Sequence, residues 1–380
     1  ECPGRGRLLQ RMSGRNAKTW RLIDTGVRRA AENFALNRAL LEGHQEGVSP
    51  HTLRFLSFRP SALLGFHQDV EQELNVDYCR EQGIDIQRRV TGGGALYFDE
   101  TQIGWELYLD KQTLGTADMS AIARRVCEAA ARGISSLGVE AKYRPRNDIE
   151  VDGRKISGTG GAFDGDSILY QGTLLIDFDV EKMLRVLRIP AEKLSGKAIE
   201  SARERVVNLK ELLGELPSVE TVEAAMAQAF ADEFGIAFER ADEISARERE
   251  IFEEALEEID SEEWVYQHNR PVDTAPMVEG IYKSAGGLMR ANVMLDPEKG
   301  RIKQLWLTGD FFIKPRRLVV DLEAALRNTK IDELDANLDA FFADYGAEML
   351  QLTRDDFATV IRMAIDNAQN PAAPAATGTA

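Results

Sequence analysis

An α+β fold, built on a mixed, mostly antiparallel sheet with flanking helices, is what this sequence predicts, and three observations predict it. Between Ile84 and Ile176 strand-like runs crowd together as IDIQRRV, ALYFDE, IGWELYL, EAKYR, NDIEVDG, RKISGTG and ILYQGTLLIDF. A single helical stretch, Met119 to Leu137, interrupts them. The connections are short and glycine-bearing, which suits hairpins and leaves no room for repeated crossover helices, so the helices are expected on one side of the sheet.

The remaining elements follow in order. TWRLIDT reads as a first strand, Arg28 to Glu46 as a helix, TLRFLSF as a second strand and Val70 to Gln82 as a helix. Helical spacing returns at Glu181 to Leu187, Leu209 to Leu213 and Val219 to Phe234. The charged run ERADEISARERE opens an acidic helix to about Ile259, expected to connect to a second unit. That unit is a small α+β domain: GLMRANVMLD and RIKQLWLTGDFF joined by the turn Pro297-Glu298-Lys299-Gly300, then helices at Leu318 to Leu326, Leu334 to Phe342 and Phe357 to Ile365. The expected boundaries are a disordered lead-in over 1–18, a large domain over 19–240, a helical linker over 241–260, the small domain over 261–368 and a disordered tail over 369–380.

Composition narrows the function classes. Forty-seven basic against sixty-three acidic side chains leave a net charge of −16, which disfavours broad binding to nucleic acid or anionic lipid, so neither nucleic acid nor membrane is expected as a partner. No apolar run approaches the roughly 20 residues of a membrane span. Three widely spaced cysteines, Cys2, Cys79 and Cys127, form neither a disulfide framework nor a metal motif and suit a reducing cytoplasm. The four histidines, His44, His51, His67 and His268, show no metal-ligand spacing and read as surface or structural residues.

The segment richest in chemistry is Arg88-Arg89-Val90-Thr91-Gly92-Gly93-Gly94-Ala95-Leu96-Tyr97. Consecutive glycines let backbone N–H groups converge on an anion, and an arginine pair adds forked donors for phosphate or carboxylate. A plain hairpin turn is the bland alternative, but it does not need three glycines beside two arginines. Next comes Asn147-Asp148-Ile149-Glu150-Val151-Asp152-Gly153-Arg154-Lys155, where Asp152-Gly153 forms a tight turn and sets Lys155 on the returning strand opposite Asn147-Asp148. Taken alone, such a Lys–Asp pair is a surface ion pair worth little. Beside an anion loop it becomes a lysine that holds a reacting carboxylate against a phosphate, with an aspartate able to bind Mg²⁺. Small residues at Gly158 to Ala162 and Gly172 leave room for a long, thin apolar ligand, although glycine in strands equally marks bulges and close approach.

RRVTGGGALYFD, RNDIEVDGRKISG, QGTLL and SARERVVNL, in this order and spacing, resemble the motif series of the lipoate-protein ligases, relatives of biotin ligases and octanoyltransferases, from about Trp20 to Phe234. EEWVYQ and IKQLWLTGDFF resemble that family's C-terminal accessory domain. The resemblance implies a catalytic domain like that of class II aminoacyl-tRNA synthetases and biotin ligases over 19–240. It implies a two-step reaction: lipoate or octanoate attacks the α-phosphorus of MgATP, and a lysine of an acceptor protein then takes the acyl group from the adenylate. Carried over, Arg88, Arg89, Gly92, Gly93, Gly94, Ala95, Leu96, Tyr97, Asn147 and Lys155 would contact the nucleotide. Lys155, Gly158, Gln171, Gly172 and Thr173 would contact lipoate, Asp148 would hold Mg²⁺, and Lys155 and Asp148 would be catalytic. The acceptors implied are lipoyl domains of 2-oxoacid dehydrogenase E2 subunits, the glycine-cleavage H protein or H-like lipoate-binding proteins.

The sequence departs from the family at Phe98 and Gln171, where many relatives carry histidine, so no histidine base is assigned. Three alternatives stand beside the ligase. An octanoyl or lipoyl transferase works through a cysteine, which in the cysteine-dependent relatives that this chain resembles lies near the position of Arg144 to Asn147, and none is there; Cys127 and Cys79 sit in helical runs as packing residues. A biotin-protein ligase is suggested by Gly4-Arg5-Gly6-Arg7, which lies ahead of the first strand, outside the expected loop. A non-catalytic lipoyl-binding protein would not need Arg89, the glycines, Asp148 and Lys155 together.

Overall fold

The computed structural model describes residues 19–145, 147–188, 200, 202–269 and 277–369. The expected lead-in, with its Gly4-Arg5-Gly6-Arg7, and all of the expected tail after residue 369 lie outside the described residues, as does Arg146. The chain divides into two compact units, each described by itself: residues 1–63, 75–87 and 96–264, and residues 64–74, 88–95 and 265–380.

In the first unit the strands are β1 (Thr19–Arg28), β2 (Thr52–Phe58), β3 (Ser61–Leu64), β4 (Asp85–Arg88), β5 (Leu96–Phe98), β6 (Gln102–Asp110), β7 (Ala141–Arg144), β8 (Asp148–Val151), β9 (Arg154–Asp164), β10 (Ser167–Leu175) and β11 (Ala237–Arg240), with β3 and β4 running on into the second unit at their last residues. Eight of them form one sheet in the order β11-β1-β2-β6-β10-β9-β8-β7, while β4-β3-β5 form a small separate sheet. β1 is parallel to both its neighbours and every other pair in the large sheet is antiparallel, as expected from strands joined by short turns.

The helices α1 (Ala30–Glu46), α2 (Met119–Ser135) and α3 (Val219–Phe234) cover this sheet, and α4 (Ala246–Ile259) packs on α1. Helices were expected on one side, and the structure corrects this. β6 is buried along its whole length, because its two alternating faces meet different helices. Trp105, Leu107 and Leu109 join Ile122, Val126 and Ile134 of α2 and Val222, Met226 and Phe230 of α3 in the main core. Gly133 lets these helices approach closely, since a Cβ there would stand 3.0 Å from Met226 Cα. On the other face Tyr108 and Leu169 pack against Leu40 of α1. Glu106, also on that face, accepts hydrogen bonds from Arg54 at 3.0 Å, Asn37 at 2.7 Å and Tyr108 at 2.7 Å. A buried carboxylate is tolerable only with such a set of donors.

The segment expected to be a linker is part of the first unit. α4 is anchored on its buried Glu248, which accepts both guanidinium donors of Arg21 at 2.6 and 2.8 Å, while Arg38 pairs with Glu258. Burial would raise the Glu248 carboxyl, but Arg21 and Ser49 outweigh it and hold the group below the usual range.

In the second unit β12 (Val278–Ser284), β13 (Gly287–Asp296) and β14 (Arg301–Gly309) form an antiparallel sheet, with the expected hairpin at Pro297 to Gly300. α5 (Arg354–Gln369) lies on it so closely that a Cβ on Gly280 would meet Ala364 N at 2.4 Å. Leu305, Leu307, Leu318, Leu322, Phe357 and Ile361 supply much of its core. Two early segments belong here: Gly309 N–H donates to His67 O at 3.1 Å, and the Thr308 hydroxyl to Gln72 at 2.9 Å. No helix among the described residues is long and apolar enough to cross a membrane.

Candidate active site

The candidate site of the first unit is built on the β8–β9 hairpin. Asp152 and Gly153 have φ of 51° and 77°, the pair of left-handed residues that a tight two-residue turn requires, so the turn falls where the sequence placed it. A bulge between Ile149 and Glu150 then shifts the register, and Lys155 pairs with Glu150 while Asp148 pairs with Gly158. The main chain of Lys155 is held on its other edge too: its N–H donates to Arg205 O at 2.9 Å, and its carbonyl accepts from Val207 N–H at 2.9 Å. The downstream motif SARERVVNL thus contributes backbone that fixes the lysine.

Despite the shifted register, Lys155 Nζ lies 2.8 Å from Asp148 Oδ1. Gly158 makes this possible, because a Cβ there would stand 2.8 Å from Nζ and 2.9 Å from Cε of Lys155. Arg144 takes the other carboxylate oxygen at 2.6 Å. Burial raises the Asp148 carboxyl, but Lys155 and Arg144 together hold it below its ordinary value. Asp148 is therefore an ionised group with both oxygens already on cations. Such a carboxylate does not fit a resident Mg²⁺, since a third cation would have to displace one of the two.

Arg144 was not singled out from the sequence, although reading EAKYR and NDIEVDG as a second hairpin puts Arg144 opposite Asp148, as the register shows. Asn147 is exposed, and its side chain donates to Thr159 O at 2.9 Å. Beneath it, Thr159 Oγ1 lies 2.9 Å from Tyr170 OH and 3.2 Å from Cys127 Sγ. Burial pushes the Cys127 thiol up and the Cys79 thiol up to about 11, so neither is poised as a thiolate.

Register separates the expected lipoate residues into two sets. Gln171 pairs with Gly160, and Gly158 N–H donates to the Thr173 hydroxyl at 3.4 Å, so Gly158, Gln171 and Thr173 share the sheet face that carries Asp148. Gly172 points the opposite way, where a Cβ would stand 2.3 Å from the Trp105 ring. The space left by Gly172 is filled by Trp105, not by a ligand channel.

The arginine–glycine loop, in the second unit, corrects three further expectations. The Arg88 side chain is fully buried and donates to the carbonyls of Gly65, Phe66, Gln68 and Val265. Burial lowers it to about 9, with Asp69 opposing, so it is still charged at neutral pH but turned inward. Arg89 likewise donates to Gly92 O at 3.1 Å and Gly94 O at 2.9 Å, bracing the loop from within. The glycines serve close packing: a Cβ on Gly92 would meet Phe311 O at 2.3 Å, and one on Gly93 would meet Arg89 and the Phe312 ring at 3.1 Å. Gly94 is exposed. Tyr97, in the first unit, buries its ring and donates to Asp99 at 2.7 Å, so its side chain is a core residue.

Comparison with known proteins shows the family to which the chain belongs. Residues 29–231 match the family model of the lipoyl protein ligase A/B catalytic domain. An octanoyltransferase LipM from Kyrpidia tusciae is 29% identical over 274 residues, covering 66% of this chain and 99% of the relative. Among solved structures, a bipartite lipoate protein ligase from Thermoplasma acidophilum, studied with its E2 lipoyl domain, superposes with a TM-score of 0.61 at 26% identity, covering 67% of this chain and 99% of that one. A lipoate-protein ligase A bound with ATP gives a TM-score of 0.57 at 25% identity, covering 65% and 98%. With more than half its length matched by the family model, this chain belongs to the lipoyl protein ligase A/B catalytic-domain family.

Proposed function

We propose that this chain is an ATP-dependent lipoate-protein ligase of the cytoplasm. In the first step a carboxylate oxygen of lipoate or octanoate bonds to the α-phosphorus of ATP and the bond to pyrophosphate breaks. In the second, a lysine amine of an acceptor lipoyl domain, glycine-cleavage H protein or H-like lipoate-binding protein bonds to the acyl carbon and AMP leaves. Lys155 is the observation that carries the reading. Its ammonium is fixed from the backbone outward, lies over a glycine and stays partly exposed, with 37% of its side chain accessible. An ammonium so placed offsets the repulsion between two anions as they meet and stabilises charge on the phosphate in the transition state.

In this reading Gly158, Gln171 and Thr173 line the acyl substrate and Asn147 meets the phosphate. Arg89 braces the arginine–glycine loop of the second unit from within. Magnesium enters with ATP as part of the substrate, and no step is assigned to a protein-bound ion.

The likeness to an octanoyltransferase favours a second reading, acyl transfer through a cysteine thioester. Against it, the two cysteines among the described residues are buried, with their thiols raised. Pyrophosphate exchange into ATP separates the two. Exchange that depends on lipoate and disappears in Lys155→Ala supports the ligase; transfer from octanoyl carrier protein without ATP, lost in Cys127→Ala, would replace it with the transferase.

A further inference from the structure

Among the described residues one cluster outside the Lys155 site gathers metal-ligating side chains: His44, His51 and Asp110, all buried, with one ligand atom from each within 4.8 Å of the others. Seven residues apart in sequence, the two histidines show no ligand spacing, and the fold brings them together. His44 lies in the last turn of α1, His51 precedes β2, and Asp110 ends β6. Ser167, which pairs with Asp110 at the start of β10, lies four residues along that strand from Gln171.

We propose that this cluster binds one borderline divalent transition-metal ion of the Zn²⁺ class through His44 Nε2, His51 Nδ1 and Asp110 Oδ2, with water in the fourth position. His51 stands between the other two, its Nδ1 2.9 Å from His44 Nε2 and its Nε2 3.9 Å from Asp110 Oδ2. Nitrogens bound tetrahedrally to Zn²⁺ at about 2.0–2.1 Å lie about 3.3 Å apart, so on binding an ion the histidine contact opens by about 0.4 Å and the Asp110 carboxylate, which faces His51 Nε2, swings toward Nδ1 to complete the set.

The outer contacts suit ligands. His44 Nδ1 lies 2.7 Å from Ser167 Oγ, His51 Nε2 3.0 Å from Thr113 Oγ1, and Asp110 Oδ1 accepts Thr113 N–H at 2.7 Å. Partners of this kind orient a ring and set its tautomer. Without an ion, one proton is shared between His44 and His51. With the ion in its place, that proton moves to the far nitrogen of its own ring and is donated to a hydroxyl, so no proton need leave. Two imidazoles and one carboxylate favour Zn²⁺, Co²⁺, Ni²⁺ or Cu²⁺ over Mg²⁺ or Ca²⁺, which take oxygen donors. The role is structural, tying the end of α1 to β2, β6 and β10, and is independent of the ligase reading.

The test uses the full chain stripped with chelator and titrated with Zn²⁺ and with Co²⁺ by calorimetry, absorption and thermal melting. The expected result is one equivalent bound, visible bands of tetrahedral Co²⁺, a rise of several degrees in Tm, and quenching of Trp20, whose ring lies 5.1 Å from that of His51. Asp110→Asn and His51→Gln should each lower affinity at least about 100-fold, in line with loss of a ligand, whereas His268→Gln should change nothing. Failure of the wild-type protein to bind either ion overturns the proposal and leaves a hydrogen-bonded chain alone. Stoichiometric binding that persists in both Asp110→Asn and His51→Gln overturns it as well. Should one variant not fold, the wild-type Co²⁺ spectrum with Trp20 quenching and the other variant decide.

Discussion

The β8–β9 hairpin and the arginine–glycine loop each carry charged residues beside glycines, yet the two regions use them in opposite ways. Lys155 and Arg144 remain partly exposed, with 37% and 43% of their side chains accessible, and both meet the single carboxylate of Asp148. Arg88 is wholly buried and meets backbone carbonyls. Gly158 gives space to the far end of the Lys155 side chain, whereas Gly92 gives space to a main-chain carbonyl. A charge that can reach solvent and a substrate supports chemistry; a charge consumed by carbonyls supports the fold.

That contrast is most easily broken at its extremes. Arg88→Met should destabilise the protein by about 3–5 kcal/mol, because several buried carbonyls lose their donor. Denaturant unfolding measures it, and a cost below about 1 kcal/mol would return Arg88 to the candidates for anion binding. Lys155→Ala should instead leave Tm nearly unchanged and lower lipoate-dependent pyrophosphate exchange by about 10²–10³-fold, the scale of losing one fixed transition-state donor.

Gly158→Ala sharpens the comparison. Its Cβ meets only the far end of Lys155 within 3 Å, so the lysine is pushed aside while the strand survives. A fall of about tenfold in adenylation, or about 1.4 kcal/mol, is expected with little loss of stability. A large drop in Tm with activity retained would show that Gly158 serves packing, as Gly92 does.

The smallest effect is that of pH on the Asp148 pairs. The folded-state carboxyl is depressed, so the stability it contributes is present above its unfolded value and is lost as pH falls through the folded value. Both partners are more than a third exposed, and screening limits the contribution to under about 1 kcal/mol. The stability difference between wild type and Asp148→Asn should be constant above about pH 5 and fade below about pH 4. A difference that grows toward low pH would show that the pairs do not stabilise the folded state.

Much of each unit was legible because its signals are local. The turn at Asp152-Gly153 follows from two residues that tolerate positive φ, and the hairpin at Pro297 to Gly300 from turn chemistry. The bulge after Ile149 was not legible, since nothing in DIEVDGRK marks which residue stays unpaired. Nor was the second cover on the sheet. IGWELYL alternates like a strand with one wet face, whereas the structure buries its polar side under α1, with Glu106 on Arg54 and Tyr108 against Leu40.

By itself the sequence determined the order of the elements, the mostly antiparallel pairing, the tight turns and the motif series that marks the family. All of these depend on backbone preferences and spacing within a few tens of residues. Only the tertiary structure decided which charges face inward and which stay available, that Trp105 fills the space at Gly172, that α4 belongs to the first unit, and that His44, His51 and Asp110 meet. The reason is physical: how a buried polar group is satisfied depends on chain segments distant in sequence, and no local pattern records them.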